Sequence, residues 1–463
     1  MRKYLKALKI IGAILGVLIL VYLGACKIAS NEALALFNRE IAKQTVLKGK
    51  ITVEDINASM FGTLTFINLK WEDPEGNTIA IIPEGKIRVK PLDVVLRKFS
   101  TTTIQGLEIN NAEVSLRFNK DMHIDVVNEK PKTPEEIAQL EEKRREERKN
   151  KTPEELLAAR KKREAELRTK IRNIDFDGKR IDARITFNNC KLNAFYRNRE
   201  FIINDVDADF NIDTTKEIDV NFTTGQFGGT MVGESIDLSG KIDMKKEIPT
   251  YDLYLKMNEI IPSSLGFGVN INDTVSISSA IKGELPTPII EGKLHFDKLV
   301  IPGIEFSKVD GHFHYEDGLL YFNEVKALAF GGEVNAEGRY NINDRHYNIK
   351  ADGKDLRSSI ATKDLAFNCL VKLDFTMESD GNPKTALSYG TFSSGKGTYH
   401  LIPFNGIKGA FSNQNGTLDF TNVVISTDIG DVSSDAFSII RGRVKLGPIY
   451  LKIAESGENI RIR

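Results

Sequence analysis

The stretch Val206-Asp207-Ala208-Asp209-Phe210-Asn211-Ile212-Asp213 alternates apolar and polar side chains without a break. Successive side chains of a β-strand point to opposite faces, so this alternation predicts a strand with one apolar and one hydrated face. The same alternation recurs at 181–187, 218–222 and 369–377. No helical pattern separates the strands after residue 175, which argues against alternating β and α units. The sequence therefore predicts a mainly β, mostly antiparallel fold.

Short repeats punctuate these strands. The pattern G-x-L-x-[FY] occurs at 62–66, 318–322 and 416–420, and Phe-Gly-Gly occurs at 227–229 and 330–332. Recurring units of this kind favour an elongated body built by adding hairpins along one axis. The glycines are expected to form tight turns or bulges.

An alternating strand without a second sheet leaves its apolar face in water, which costs about 25 cal/mol per Å². One solution is an open groove, and the other is a stack of closed sandwiches or a β-solenoid with a dry core. Periodicity does not separate the two. The alternation selects these candidate apolar-face residues: Ile185, Phe187, Val206, Phe210, Val220, Phe222, Val371, Leu373 and Phe375.

The N-terminus carries a membrane signal. Arg2, Lys3, Lys6 and Lys9 precede an apolar run of about 17 residues, 10–26, near the minimum for a membrane-crossing helix. The positive flank predicts that 1–9 are cytoplasmic and that the body is exported. The side chains expected to anchor the helix in the bilayer include Ile10, Leu15, Leu18, Leu20 and Tyr22.

Two other interpretations of this run stay open. Leu23-Gly24-Ala25-Cys26 resembles a lipobox, which would place a lipid on Cys26 after cleavage. The run is also compatible with a cleaved signal peptide. All three interpretations export the body, and the first two tether it to a membrane.

Two segments depart from the β pattern. Residues 28–49 predict a short helix whose apolar face carries Leu34, Ala35, Ile41 and Leu47. Residues 131–172 contain two Thr-Pro-Glu-Glu helix starts and few apolar side chains, which predicts an exposed, charged helical hairpin between strands. The predicted regions are a basic flank and anchor at 1–27, a helix at 28–49, a β region at 50–130, the hairpin at 131–172 and a repetitive β body at 173–463.

Composition excludes several classes of function. Lys+Arg and Asp+Glu each number 64, so the excess of basic residues that nucleic-acid binders carry is missing. The three cysteines form neither a disulfide framework nor a metal motif, and the His312–His314 pair lacks a third ligand nearby in sequence. No sequence motif of a nucleophile, a phosphate-binding loop or a zinc hydrolase stands in a fitting context. We therefore predict a protein that is not an enzyme and that has neither a metal nor a cofactor.

Residues 49–118 resemble the N-terminal region of the AsmA-like and TamB-like envelope proteins. The resemblance rests on the N-terminal anchor, the short helix, the stretch 61–76 (FGTLTFINLKWEDPEG) and the strands at 86–89 and 107–116. The later stretch from Pro288 to Gly338 is similar to a TamB-type repeat. These motifs are loose patterns of glycines and alternating residues that cover most of the chain outside 131–172.

The resemblance implies a curved β-groove that binds phospholipid and conducts it between the inner and outer membranes of a diderm bacterium. It places the chain in the inner membrane as a single-pass protein with its C-terminal body in the periplasm. Outer-membrane or periplasmic proteins are the further partners that it implies. The alternative is a non-catalytic scaffold for outer-membrane protein assembly or envelope integrity.

Overall fold

A computed structural model describes residues 47–118 and 180–462, together with 34–35, 37–39 and 41. Within those ranges it leaves out 60, 97, 99, 197–198, 266–270, 286, 302–303, 363–364, 383–384 and 441–442. The described chain is mainly β and mostly antiparallel, which confirms the predicted fold class at that level. It divides into two compact units: unit 1 comprises 1–267 and 280–288, and unit 2 comprises 268–279 and 289–463.

Unit 1 is a sheet in which neighbouring strands pair almost entirely in antiparallel fashion. Short helical elements follow β4 and β12: the helix α1 at Pro91–Val95 and a 3₁₀ turn at Pro262–Leu265. Its strands are β1 Lys50–Thr52, β2 Asp55–Ala58, β3 Thr63–Glu72, β4 Thr78–Val89, β5 Ile104–Asn110, β6 Glu113–Phe118, β7 Asp182–Tyr196, β8 Arg199–Asp213, β9 Glu217–Thr223, β10 Phe227–Gly229, β11 Ser235–Asp243 and β12 Thr250–Ile260. The boundary between the units falls within β13 Val275–Glu284 and β14 Thr287–Ile301.

One connection in unit 1 departs from the hairpin pattern. Both β5 and β6 pair in parallel with β7, with Gly106 opposite Arg184 and Phe118 opposite Tyr196. A parallel pair needs a crossover that carries the chain back along the strands. Residues 119–181 are that crossover, and they include the predicted helical hairpin.

The core of unit 1 lies between β1–β4 and the segment that precedes them. Phe37 and Ile41, both helical, are buried together with Ile56, Leu64 and Phe66. The indole nitrogen of Trp71 donates a hydrogen bond of 2.8 Å to the Lys48 carbonyl, which ties the end of β3 to the chain that enters β1. Helical packing thus covers one end of the sheet.

The predicted apolar face of this helix was partly wrong. Ile41 and Leu47 are buried and Leu34 packs against the core, as expected, but Ala35 is exposed, and Leu47 lies in a β-bridge instead of the helix. Phe37, which the prediction omitted, is fully buried in its place. Leu34, Phe37 and Ile41 are three and four residues apart and share one helix face, whereas Ala35 lies on another.

Unit 2 contains a long antiparallel sheet and a separate small one. The helix α2 spans Ser358–Thr362, and the small sheet consists of β19 Phe367–Asn368, β22 Gly397–Tyr399 and β23 Ile402–Phe404. The remaining strands follow one another as neighbours, with β27 and β28 both pairing with β26. The strands are β15 Ile304–Glu316, β16 Leu319–Ala329, β17 Gly332–Asn341, β18 His346–Arg357, β19 Phe367–Asn368, β20 Leu370–Asp380, β21 Leu387–Ser394, β22 Gly397–Tyr399, β23 Ile402–Phe404, β24 Gly406–Gln414, β25 Thr417–Thr427, β26 Gly430–Ile440, β27 Arg443–Leu446, β28 Ile449–Ile453 and β29 Asn459–Arg461.

The glycines that open the G-x-L-x-[FY] motifs lie at turns, as predicted. Gly62, Gly318 and Gly416 open the three G-x-L-x-[FY] motifs, and each has a positive φ, between 78° and 85°. Each directly precedes a strand, so the motif marks the point at which a hairpin turns back. The two Phe-Gly-Gly copies differ: the first forms β10, whereas Phe330 and Gly331 of the second form the turn between β16 and β17.

The predicted anchor at 10–26 and the predicted hairpin at 131–172 lie outside the described residues. Within the part of the chain that the structure describes, no helix combines the length and apolar character needed to cross a bilayer.

Candidate functional site

Three predicted apolar-face residues lie side by side across unit 1. Ile185 of β7 is directly opposite Phe210 of β8, and Phe210 is directly opposite Val220 of β9. The same line continues through further strands on both sides. We call it the Phe210 row, and it consists of Ile87, Leu107, Ile185, Phe210, Val220, Gly240 and Leu253.

A second line runs two residues away along each strand and therefore lies on the same face. Phe187 and Phe222, both predicted, belong to it, with Ala208 between them. We call it the Phe187 row: Gly85, Ile109, Phe187, Ala208, Phe222, Leu238 and Leu255. The predicted Val206 is the next residue of β8 on this face, opposite the buried Cys190.

Both rows cross the seven strands β4, β5, β7, β8, β9, β11 and β12. At about 4.8 Å between neighbouring strands, each row is about 29 Å long. The hydrocarbon of one bilayer leaflet is about 15 Å thick, half of the ~30 Å core. Each row is therefore longer than an acyl chain in a membrane. Apart from its two glycines, this face presents apolar side chains along both rows.

Exposure changes along the Phe210 row. Ile87, beneath the core formed with Phe37 and Ile41, is only 1% exposed. Ile185 and Phe210, in the middle of the row, are half-buried, as are Phe187 and Phe222 in the neighbouring row, whereas Val220 and Leu253 farther along are buried again. Side chains from adjacent strands shield one another partly, but these four residues retain apolar surface that water reaches in the described structure.

The opposite face of the same strands is charged. Arg184 forms a bidentate ion pair with Asp209, and Lys241 lies 3.1 Å from Glu217 and 3.3 Å from Asp219. Hydrogen bonds from Arg184 hold the pKa of Asp209 below its ordinary value, and Glu217 raises the pKa of Lys241. Such solvent-exposed pairs add little to stability, typically less than about 1 kcal/mol each. They keep this face hydrated.

Two surface depressions are lined partly by charged side chains. One of about 310 Å³ in unit 1 is lined by residues that include Lys86, Glu108 and Arg184. One of about 830 Å³ in unit 2 is lined by residues that include Glu337, Lys350 and Asp374. Ala351, Phe375 and Phe411 line the same depression, so its wall is both charged and apolar.

The remaining predicted residues lie on β20 of unit 2. Leu373 is opposite Phe392, and Phe375 is opposite Gly390, which in turn faces Phe411. Val371 is opposite Leu356. All three predicted side chains are half-buried and share one face of the strand. The structure thus brings the nine predicted residues together as six in unit 1 and three in unit 2.

An aromatic line in unit 2 was missed by sequence reasoning. It runs from Phe375 through Gly390 to Phe411, Phe420 and Phe437. The rings of Phe420 and Phe437 stack with centroids 4.7 Å apart. The alternation of apolar Leu418 and Phe420 with polar Asp419 was the available signal.

Four histidines of the described chain, His295, His312, His314 and His346, lie next to acids. His314 lies 3.3 Å from Glu291 and 3.4 Å from Glu316, and His312 lies 3.4 Å from Glu324. His295 lies between Asp310 and Asp297, and the hydrogen bond to Asp310 raises the pKa of this imidazole above its ordinary value. Among the residues that the structure describes, no cluster of three or more His, Cys, Asp or Glu side chains is arranged to hold a metal ion. Cys190 and Cys369 are buried free thiols.

The chain matches no protein family, no curated protein and no solved structure. The residues and their geometry are therefore the basis for assigning a function.

Proposed function

We propose that this protein is a membrane-anchored envelope protein whose apolar sheet face binds phospholipid acyl chains and conducts the lipid between inner and outer membranes. In this proposal residues 10–26 tether it to the inner membrane, and its body lies in the periplasm. The step involves no covalent chemistry and no cofactor. The resemblance to AsmA-like and TamB-like proteins points to the same function.

The observation that carries the proposal is the alignment of half-buried apolar residues in unit 1. Ile185 and Phe210 are neighbours in one row, and Phe187 and Phe222 lie in the next, all on one face. Surface that is both apolar and accessible to water costs free energy, about 25 cal/mol per Å². An acyl chain lying along the rows removes that cost, while the headgroup stays in water.

Movement along such a surface needs little driving force. The rows consist almost entirely of aliphatic and aromatic side chains, so an acyl chain meets a similar surface at each strand spacing. Its free energy therefore changes little from step to step. The charged opposite face, with pairs such as Arg184–Asp209, remains in solvent and does not compete for the chain.

A non-catalytic scaffold for outer-membrane protein assembly or envelope integrity is the second candidate. The observation that favours it is that the same apolar side chains are half-buried rather than fully exposed. Mutual shielding of neighbouring side chains lowers the cost of leaving the face without a ligand. A scaffold of this kind would purify without bound lipid.

Photo-crosslinking from a single position distinguishes the two candidates. A benzophenone side chain placed at Phe210 is expected to crosslink phospholipid in cells, because this position lies in the middle of the Phe210 row. The same group at Asn221, which is exposed on the charged face of β9, is the matched control and should yield no lipid. Equal lipid recovery from both positions, or none from position 210, would contradict the proposal.

The proposed location has its own test. A reporter fused after Arg463 should be active only outside the cytoplasm, because the basic residues 2–9 keep the N-terminus inside. Cys26→Ser should leave the protein in the membrane fraction if the apolar helix is retained. Release into the soluble fraction would instead indicate that a lipid on Cys26 is the tether, and reporter activity in the cytoplasm would reject the topology.

A further inference from the structure

Five exposed apolar side chains cluster in unit 2 around the small sheet. Their exposed fractions are 47% for Ile360, 90% for Leu365, 49% for Tyr399, 95% for Leu401 and 67% for Ile402. We call this cluster the apolar knob. Large aliphatic side chains exposed to this degree mark surfaces that contact a partner or a membrane.

The backbone brings these side chains together from distant parts of the sequence. The His400 amide donates a hydrogen bond of 2.9 Å to the Ala366 carbonyl, which places Leu401 beside the segment that carries Leu365. Phe367 pairs with Tyr399 in the small sheet. The cluster is therefore a defined surface rather than scattered exposed residues.

Leu401 lies at the tip of a tight hairpin. Tyr399 is opposite Ile402, so His400 and Leu401 form a two-residue turn between β22 and β23. His400 has a φ of 51°, typical of the turns that suit such hairpins. Turn tips usually carry Asn, Asp or Gly, and an aliphatic residue here gains nothing from the turn itself.

The base of the knob is buried and hydrogen-bonded. The Ser358 hydroxyl donates to the Phe367 carbonyl at 2.9 Å and accepts from the Cys369 amide at 2.9 Å. The Phe404 ring is buried, with its centroid 6.1 Å from that of Phe367. Only the base of the knob is packed. The exposed side chains at its tip have no core of their own beneath them.

Charge favours a bilayer surface as the occupant. Residues 395–405 contain no acidic residue, and they include Lys396, which is exposed, and His400 next to the tip; in the segment that carries Leu365, the charges of Lys363 and Asp364 cancel in sequence. Aliphatic tips flanked by an aromatic ring and a cation suit the boundary between anionic headgroups and hydrocarbon. Tyr399 provides that ring.

The size of the knob argues against a stable protein interface. Such interfaces bury roughly 800 Å² on each partner, more than five side chains of this kind can supply. Insertion into a bilayer has no such minimum, because each apolar side chain that leaves water contributes separately.

We infer that the apolar knob inserts into the surface of a lipid bilayer, with Leu365, Leu401 and Ile402 entering the hydrocarbon. The inference deepens the proposed function, since a lipid carrier must contact a membrane to exchange its cargo. Contact with the bilayer is nevertheless measured independently of lipid bound at Phe210.

The first test measures depth of insertion. The full chain carrying Leu401→Trp is reconstituted in host vesicles, and phosphatidylethanolamine–phosphatidylglycerol vesicles are added. The brominated acyl chains are placed in the host vesicles in one experiment and in the added vesicles in the other. The introduced tryptophan should be quenched, whereas the native Trp71 is buried and serves as the background. Ile342→Trp is the matched control: Ile342 is 52% exposed at the opposite end of β17 from the turn that meets α2, and it should not be quenched.

The second test measures tethering of the two vesicle populations. The triple variant Leu365→Ser, Leu401→Ser, Ile402→Ser should tether at least about tenfold less, because three large apolar side chains no longer enter hydrocarbon. Its thermal unfolding should match that of the wild type, since all three side chains are exposed. Ile342→Ser should tether normally.

Two outcomes would overturn the inference. One is that the introduced tryptophan at position 401 is quenched neither by brominated lipid in the host vesicles nor by brominated lipid in the added vesicles. The other is a wild type that is dimeric in detergent and a triple-serine variant that is monomeric, which would assign the knob to a second copy. Intact lipid crosslinking at position 210 beside either result would leave the proposed function standing while the knob inference fails.

Discussion

Phe210→Glu is expected to abolish lipid binding to unit 1 while leaving the protein folded. Phe210 is half-buried between Ile185 and Val220, so a carboxylate in its place keeps part of its hydration. An acyl chain passing along the row would have to strip that water away. We expect recovered lipid to fall at least about tenfold, because desolvating an unpaired charge costs several kcal/mol.

Stability is the second measurement on the same variant. In a closed core, an unpaired carboxylate would cost several kcal/mol and would unfold a marginally stable unit. On an open face we expect less than about 2 kcal/mol, within the usual range for single substitutions. Thermal unfolding of the purified variant and the amount of photo-crosslinked lipid recovered from it together distinguish a closed core from an open face.

Ser239→Glu is the matched control for this substitution. Ser239 is exposed on the charged face of β11, opposite Asn221, and a carboxylate there stays in water. Both lipid recovery and unfolding temperature should match the wild type. If Phe210→Glu unfolds the protein and the wild type yields no lipid, the apolar face is a closed core and the scaffold candidate stands.

Shortening the crossover between β6 and β7 is expected to have the largest effect on folding. Phe118 ends β6 opposite Tyr196, whereas β7 begins at Asp182, at the other end of the strand. At about 3.3 Å per residue, the connection must span about 46 Å. Replacing 119–181 with a four-residue Gly/Ser linker, which reaches about 18 Å, should destroy the parallel pairing and collapse unit 1.

Deleting only 131–172 is expected to preserve the fold. The remaining residues, 119–130 and 173–181, number about 21 and reach about 70 Å when extended, enough for the return path. The β signal in circular dichroism and the unfolding temperature should then stay close to wild type. Replacing 119–181 with a flexible linker of about 21 residues is the control for length and should also fold.

These deletions also test whether the charged segment is part of the core. If the 131–172 deletion loses its β signal although its linker is long enough, apolar side chains of the segment must pack against the sheet. If it folds but binds no lipid in the position-210 crosslinking assay, the segment acts on lipid or on a partner.

Much of the local structure was predictable from single strands. In β8, Val206, Ala208 and Phe210 share one face because side chains alternate along any extended chain. That rule needs no knowledge of neighbouring strands, so the two faces of β7, β8, β9 and β20 could be assigned from sequence. The turn glycines were predictable for the same reason, since a positive φ is a property of one residue.

The pairing of β5 and β6 with β7 was not predictable. It joins Gly106 to Arg184 across a long insertion, and alternation contains no information on which strand lies beside which. The same limit hid the apolar knob, in which Leu365 and Leu401 come from different segments. Each looks unremarkable in its own stretch of sequence.

By itself, the sequence determined that this chain is mainly β, which side chains of each alternating strand share a face, and where the glycines turn the chain. The tertiary structure decided which strands are neighbours and which apolar side chains stay in contact with water. The physical reason is the range of the forces. Side-chain alternation and backbone angles act over one or two residues, whereas strand pairing and burial depend on contacts between segments far apart in the chain.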